Sequence, residues 1–332
     1  MMMKKNIAIV WGGYSSEIVV SEKSAAGIDS FMDKERYNVY KVKITRSSWT
    51  VSRQEKDLPI EKNDFSFTTE AGKHIRFDFA YITIHGTPGE DGTLEGYFDM
   101  LGIPYSCCGV LSSALTFNKF TCNHFLKSFG IEIADSAVVR KGEAFQPEAL
   151  VSRLGLPLFV KPNMGGSSFA ITKVKEASAL EKAVQDAFTE APEVIVESFV
   201  RGTEVTCGCF ETEKGFTLLP LTEVVTANEF FDYDAKYNGQ VDEITPARIS
   251  EEMTHTIQQE TARIYRLIGA KGIVRADYII RDNVPVFLEV NTTPGMTATS
   301  FIPQQVAAAG LSMREVLTDI IEYEYNKINP RS

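Results

Sequence analysis

The 332 residues exceed one typical domain, and a hydrophobic share of 44% with 23% charged residues is that of an ordinary globular protein with a sizeable core. A formal charge of −10, from 44 acidic against 34 basic residues, argues against nucleic acid as the main partner. No apolar run approaches the ~18 residues needed to span a bilayer, and the opening residues lead straight into a strand, so the expectation is a cytoplasmic protein without membrane contact.

Residues 6–13 read as a short apolar strand stopped by Gly12 and Gly13, after which Ser15, Ser16 and Glu17 offer cap residues for a helix reaching about residue 30. Strands over 37–44 and 77–84 follow, the second entering a turn-rich loop from His85 to Gly92 and then a helix from about Thr93. Strands alternating with helices imply a parallel α/β sheet with ligands at the carboxyl ends of its strands, where both glycine loops lie. A second segment carries a helix over 119–129, strands over 158–161 and 169–174, and a helix over 177–188. The third mixes strands over 204–210, 216–225, 273–280 and 286–291 with long helices, which is α+β in character. The fold expected is therefore α/β and α+β in three domains, 1–118, 119–196 and 197–332. Cys107, Cys108, Cys122, Cys207 and Cys209 match no zinc or redox spacing and are expected to be buried free thiols.

The chemistry concentrates in three places. Along 273–280, period-two alternation puts Arg275 and Asp277 on one face and Val274, Ala276 and Tyr278 on the other; Glu289 and Asn291 likewise share a face beyond the apolar run before them. With a three-residue hairpin loop at 282–284, Asp277 falls opposite Glu289 and Arg275 opposite Asn291. Oxygen donors without His or Cys point to Mg²⁺ sharing the phosphates of a nucleotide. Lys161 stands at the stem of a glycine-rich hairpin through Gly165, Gly166, Ser167 and Ser168, whose amides can close over a phosphate, although it is not a Walker loop. Residues 194–200 suit an inter-domain hinge where an adenine meets backbone groups and Glu204 the ribose.

Five stretches, 11–17, 84–92, 160–168, 230–237 and 289–296, resemble in order and spacing the ATP-grasp fold, and within it the D-alanine–D-alanine ligases, over nearly the whole chain. The resemblance implies ATP-dependent joining of two D-alanines through an acylphosphate, with release of ADP and phosphate, for peptidoglycan precursors. ATP phosphates would lie between Lys119, Lys161 and Lys236, with two Mg²⁺ ions, or Mn²⁺, on Asp277, Glu289 and Asn291. The rest of the nucleotide would meet Glu197, Phe199, Val200, Glu204, Phe230 and Leu288. The first D-alanine would set its ammonium against Glu17 and its carboxylate near His85. Ser300 and Lys236 would fix the carboxylate of the second, and Arg275 with the Gly295 amide would face the oxyanion. Glu17, Ser167 and Tyr237 match a hydrogen-bonded trio closing a lid, and relatives suggest a homodimer built through the first domain.

Each residue also has a plainer use: Glu17 as a helix first-turn carboxylate, His85 as a structural histidine, Lys119 as a snorkelling surface lysine. The chain departs from the commonest family pattern at Ile18-Val19 and at Ser198-Phe199, where a lysine and a tryptophan often border adenine. Tyr237 favours dipeptide over depsipeptide. Rival readings are a ligase using D-lactate or another amine, and a non-catalytic nucleotide-binding regulator, which loss of Arg275, Glu289 or Asn291 would favour; all three are present. A nicotinamide dehydrogenase lacks the full Gly-x-Gly-x-x-Gly turn.

Overall fold

The structure, a computed structural model, describes residues 4–15, 17–53, 56–165, 170–226 and 241–329. Ser16, Ser167, Phe230, Lys236 and Tyr237 lie outside the described residues.

The first sheet has the order β4-β3-β2-β1-β7. Its strands are β1 (Lys5–Gly12), β2 (Tyr37–Ile44), β3 (Trp49–Arg53), β4 (Lys56–Pro59) and β7 (Phe79–Ile82), with β5 (Ser66–Thr68) and β6 (His74–Arg76) forming a separate hairpin. The three strands expected from the alternating pattern, β2, β1 and β7, do run parallel, and β3 and β4, which were not expected, extend the sheet antiparallel. Short loops explain it, since Ile44 to Trp49 leaves room for a hairpin and none for a crossover helix. At the start of helix α1 (Ile18–Phe31) the N-cap Glu17 makes no side-chain cap, while Ser15 Oγ accepts from the Glu17 amide at 3.3 Å, and α2 (Thr93–Leu101) follows the His85–Gly92 loop.

Helices α3 (Val110–Phe117) and α4 (Lys119–Lys127) lead to a second sheet of order β10-β9-β11-β8. It comprises β8 (Ser136–Arg140), β9 (Leu158–Pro162), β10 (Thr172–Val174) and β11 (Glu193–Ser198), covered by α5 (Pro147–Leu154) and α6 (Leu180–Ala187). A third, antiparallel sheet places β12 (Thr203–Thr212) between β14 (Thr222–Thr226) and β16 (Val274–Arg281), with β13 (Gly215–Leu218), β15 (Val241–Ile244) and β17 (Val284–Asn291) beside them. The single strand expected over 216–225 is two, because after Leu219, whose amide still donates to the Gly208 carbonyl at 2.9 Å, the chain leaves the ladder at Pro220, which lacks an N–H to give it.

Helices α7 (Glu251–Leu267), α8 (Phe301–Ala308) and α9 (Met313–Ile328) complete the fold. On α9, Met313, Val316, Leu317, Ile320 and Ile321 repeat at helical spacing and bury their stripe against Ile7 and Ile9 of β1 and Ala25 and Ile28 of α1. Phe210, Leu219 and Ile302 join the same core, so the end of the chain clamps the first sheet to the third. Glu322 of α9 accepts from Lys5 Nζ at 2.8 Å and Tyr37 Oη at 2.8 Å; burial opposes ionisation, yet these partners hold its carboxyl below the usual range. All five cysteines are buried and free.

Glu95 of α2 is fully buried; Cys107 Sγ donates to its Oε1 at 3.3 Å and its Oε2 has no partner. Burial pushes its pKa up to about 8. The folded state thus retains a proton that the unfolded chain releases near its ordinary carboxylate pKa, so this contribution is complete at acid pH and lost as pH rises through about 8. Glu95→Gln is accordingly expected to melt roughly 5 °C above the parent near pH 9 and together with it near pH 5, as measured by thermal scans at both.

Candidate active site

Asp282 and Asn283, both left-handed with φ of 50° and 62°, make a two-residue turn between β16 and β17, not the three-residue loop expected. From Arg281↔Val284 to Tyr278↔Phe287 the register is that of this tight turn, and it would bring Asp277 opposite Leu288. A bulge between Asp277 and Tyr278 absorbs one residue, so that Asp277 pairs with Glu289 and Arg275 with Asn291 after all. The bulge also breaks the alternation locally: Leu288 and Glu289, adjacent in sequence, both line the same cleft.

That cleft encloses about 1080 Å³. Of the residues singled out from the sequence, Glu17, Lys119, Lys161, Glu197, Phe199, Val200, Glu204, Arg275, Asp277, Leu288 and Glu289 line it; His85, Asn291, Gly295 and Ser300 are not part of that lining. Several of its charges pair with one another. Arg275 forks onto Asp277, Nε to Oδ1 at 2.8 Å and Nη2 to Oδ2 at 2.7 Å, while Asn291 Nδ2 donates to Oδ2 at 3.0 Å. Lys119 stands 3.4 Å from Glu289, and Lys161 2.6 Å from Glu197. Burial alone would lower the Lys161 pKa, but Glu197 and Glu289 together raise it, so this lysine stays charged.

Lys119 owes its place to two asparagines. Asn118 caps α4 by accepting from the Thr121 amide at 2.9 Å, and its Oδ1 also accepts from Asn163 Nδ2 at 3.0 Å. Asn163 Oδ1 accepts in turn from the Phe120 amide at 2.9 Å, locking α4 to the glycine-rich loop, where Lys119 Nζ donates to the Gly165 carbonyl. Asn163 was not singled out from the sequence, although its place beside Lys161 and Pro162 was the available signal.

At the first segment's end of the cleft, Gly12 takes φ of 112° hard against the Ile44 carbonyl, where a Cβ would come within 2.3 Å. Ser21 Oγ accepts from the Gly12 amide at 2.9 Å and donates to the Thr83 carbonyl at 2.7 Å. These contacts aim the start of α1 at the cleft, with Glu17 only 4% exposed. Its carboxylate stands over Gly86, where a Cβ would lie 3.3 Å from Glu17 Oε2. His85 Nε2 meets Ser24 Oγ at 3.2 Å. Burial lowers the His85 pKa, Glu17 opposes this and Arg275 adds to it, leaving the imidazole neutral at pH 7. On the far side, Ser300 Oγ accepts from the Thr297 amide at 3.1 Å and packs against Gly295, closing the loop after β17.

At the opposite end Phe159 and Phe199 rings lie 5.8 Å apart and Lys173 Nζ sits 3.9 Å over Phe199, an apolar slot with one cation. Ser198 donates its hydroxyl to the Leu154 carbonyl at 2.8 Å. Phe159 and Lys173 were missed in the sequence because their strands read only as structure. Among the described residues no three His, Cys, Asp or Glu side chains cluster at metal-binding distance. The donor set is two carboxylates and an amide, which fits a hard cation completed by water and phosphate oxygens.

Two family models match the chain: the D-ala D-ala ligase N-terminus over residues 6–108 and the D-ala D-ala ligase C-terminus over 125–322. A D-alanine--D-alanine ligase of Parabacteroides distasonis is 65% identical over 97% of this chain and 98% of its own length. Among solved structures, the VanG D-Ala:D-Ser ligase from Enterococcus faecalis superposes with a TM-score of 0.85 at 32% identity, covering 97% of this chain and 100% of that one. The D-alanine--D-alanine ligase from Bacillus anthracis complexed with ATP gives a TM-score of 0.78 at 30% identity, covering 98% and 99%. Sequence, sheet order and cleft agree: the chain belongs to the D-alanine–D-alanine ligase family of ATP-dependent ligases with ATP-grasp architecture.

Proposed function

We propose that the protein joins two D-alanines at the expense of ATP, with domains at 1–118, 119–196 and 197–332, as a cytoplasmic step in making peptidoglycan precursors. The observation carrying this reading is a single cleft holding Glu17 at one end, an aromatic slot at the other, and Lys119, Lys161, Arg275, Asp277 and Glu289 between them. ATP lies with its base in the slot at Phe159 and Phe199, its ribose by Glu204 and its phosphates at Lys119 and Lys161. Lys119 exchanges Glu289 for phosphate oxygens and Arg275 turns from Asp277 to the substrate, which frees Glu289, Asp277 and Asn291 to hold Mg²⁺. When bound, Mg²⁺ lowers the repulsion between an attacking carboxylate and the γ-phosphate.

Glu17 holds the ammonium of the first D-alanine, and the neutral His85 donates no second positive charge that would compete for its carboxylate. The carboxylate of this first D-alanine takes the γ-phosphoryl group, the bond from the γ-phosphorus to ADP breaks, and a D-alanyl acylphosphate forms. The amine of a second D-alanine, positioned through its carboxylate at Ser300, adds to the acyl carbon. Arg275 and the Gly295 amide stabilise the oxyanion, then the carbon–oxygen bond to phosphate breaks and the amine loses a proton. Ser167, Lys236, Tyr237 and Phe230 are assigned to the cover that excludes water from the acylphosphate. A homodimer fits the exposed apolar side chains of Met100 on α2 and Leu111 on α3, 82% and 79% exposed.

The experiment is phosphate release from ATP and Mg²⁺ with D-alanine, L-alanine, or D-alanine plus D-lactate, products being identified by mass. One phosphate per D-alanyl-D-alanine is expected. ATP binding without release would turn the reading to a non-catalytic clamp, and a depsipeptide product to the D-lactate alternative.

A further inference from the structure

The loop from His85 to Gly92 and the loop after β17 approach each other from opposite ends of the chain, and one side chain joins them. Glu90 Oε2 accepts from the Gly86 amide at 2.6 Å, and its Oε1 accepts from Thr293 Oγ1 at 2.6 Å, across 203 residues of sequence. Its backbone is tied to the same place, since the Glu90 amide donates to the Gly86 carbonyl at 3.0 Å and that of Gly89 at 2.9 Å. Gly86 is left-handed, φ 74°, and lies under the Glu17 carboxylate. Thr293 is buried midway between Asn291 and Gly295. The second loop is seated on its other side too: Gly27 of α1 touches the Met296 carbonyl so closely that a Cβ would come within 2.1 Å.

We infer that Glu90 is a positioning residue, whose carboxylate pins the Gly86 peptide to Thr293 and so fixes the span from the ammonium anchor at Glu17 to the amide of Gly295. The inference rests on the ligase reading above. Neither bond fills a core; both fall on loops beside the cleft, where Gly86 and Thr87 form part of its wall. The first substrate must reach from Glu17 to the oxyanion donors, and those belong to the two ends of the chain. A rigid carboxylate between the loops sets that distance before substrate arrives, and a displacement of one ångström there costs reactivity steeply.

The test compares Glu90→Ala, Glu90→Gln, Thr293→Val and the Ala/Val double variant with the parent. The measurements are melting, ATP binding by calorimetry, and the D-alanine dependence of peptide synthesis. Glu90→Ala is expected to lose about thirtyfold in kcat/KM for D-alanine with unchanged ATP affinity. Thr293→Val removes one bond and loses about threefold, and the double variant is no worse than Glu90→Ala because both act through one link. Glu90→Gln retains most activity, its Oε1 accepting from Gly86 while its Nε2 donates to Thr293. The inference is overturned by parent-like D-alanine dependence in Thr293→Val, by losses that fall equally on ATP binding, or by Glu90→Gln as poor as Glu90→Ala. Should Glu90→Ala fail to fold, Thr293→Val and Glu90→Gln decide alone. A parent that makes no D-alanyl-D-alanine would instead sink the ligase reading itself.

Discussion

Glu289→Gln is expected to lower kcat by about a thousandfold or more while leaving the melting temperature and circular dichroism unchanged. The side chain is 29% exposed, faces the cleft and belongs to no apolar cluster, so glutamine keeps its volume without disturbing packing. What it removes is one of two carboxylates that face each other across β16 and β17. A neutral amide still offers an oxygen, but the charge that draws a divalent cation falls by half, and Lys119 loses its partner at 3.4 Å. Mn²⁺ binding followed by electron paramagnetic resonance, with and without ATP, should weaken alongside phosphate release. Near-parent turnover would refute the assignment of Glu289 as a metal ligand.

The route by which Glu289 faces Asp277 shows what a sequence reveals and what it hides. Alternation told which side chains share a face on each strand, since period two is a property of every extended chain. It could not tell the turn length, because Asp282-Asn283 tolerates the left-handed backbone of a tight turn as readily as part of a longer loop. The ladder then needed a bulge at Leu288 that no local pattern announces; two residues face the cleft there because the strand bends, not because of their order. In the first segment β1, β2, α1 and α2 were legible from apolar runs and glycine stops. The antiparallel β3 and β4, rich in polar residues, carry no such run, and α3 is too short to assert a period. The packing of α9 onto β1, the Asn118–Asn163 lock and the Glu90 strut join residues far apart in sequence, and a one-dimensional reading holds no term for them.

Arg275→Met is expected to lower kcat about three-hundredfold, the loss of a fixed oxyanion donor, and at the same time to tighten Mn²⁺ binding in the absence of nucleotide. The second half follows from the pairing in the cleft. Both oxygens of Asp277 are engaged by the Arg275 fork, and a cation seeking that carboxylate must displace a guanidinium at 2.7 Å. Burial opposes the charge on Arg275, but Asp277 and Glu289 together raise its pKa, so the guanidinium is a full competitor for the site. Removing it opens Asp277 to the metal and deprives the acyl carbon of its donor, two effects of opposite sign on binding and on chemistry. Arg275→Lys separates them: the charge remains, while the planar fork that grips both oxygens is lost, so metal affinity should fall between parent and Met variant and turnover stay low. If Arg275 served only to hold β16 against β17, the Met variant would lose stability and metal affinity together. Weaker Mn²⁺ binding in Arg275→Met would therefore decide for a structural ion pair, and tighter binding with lost turnover for an arginine that guards the metal site until the nucleotide arrives and then turns to the oxyanion.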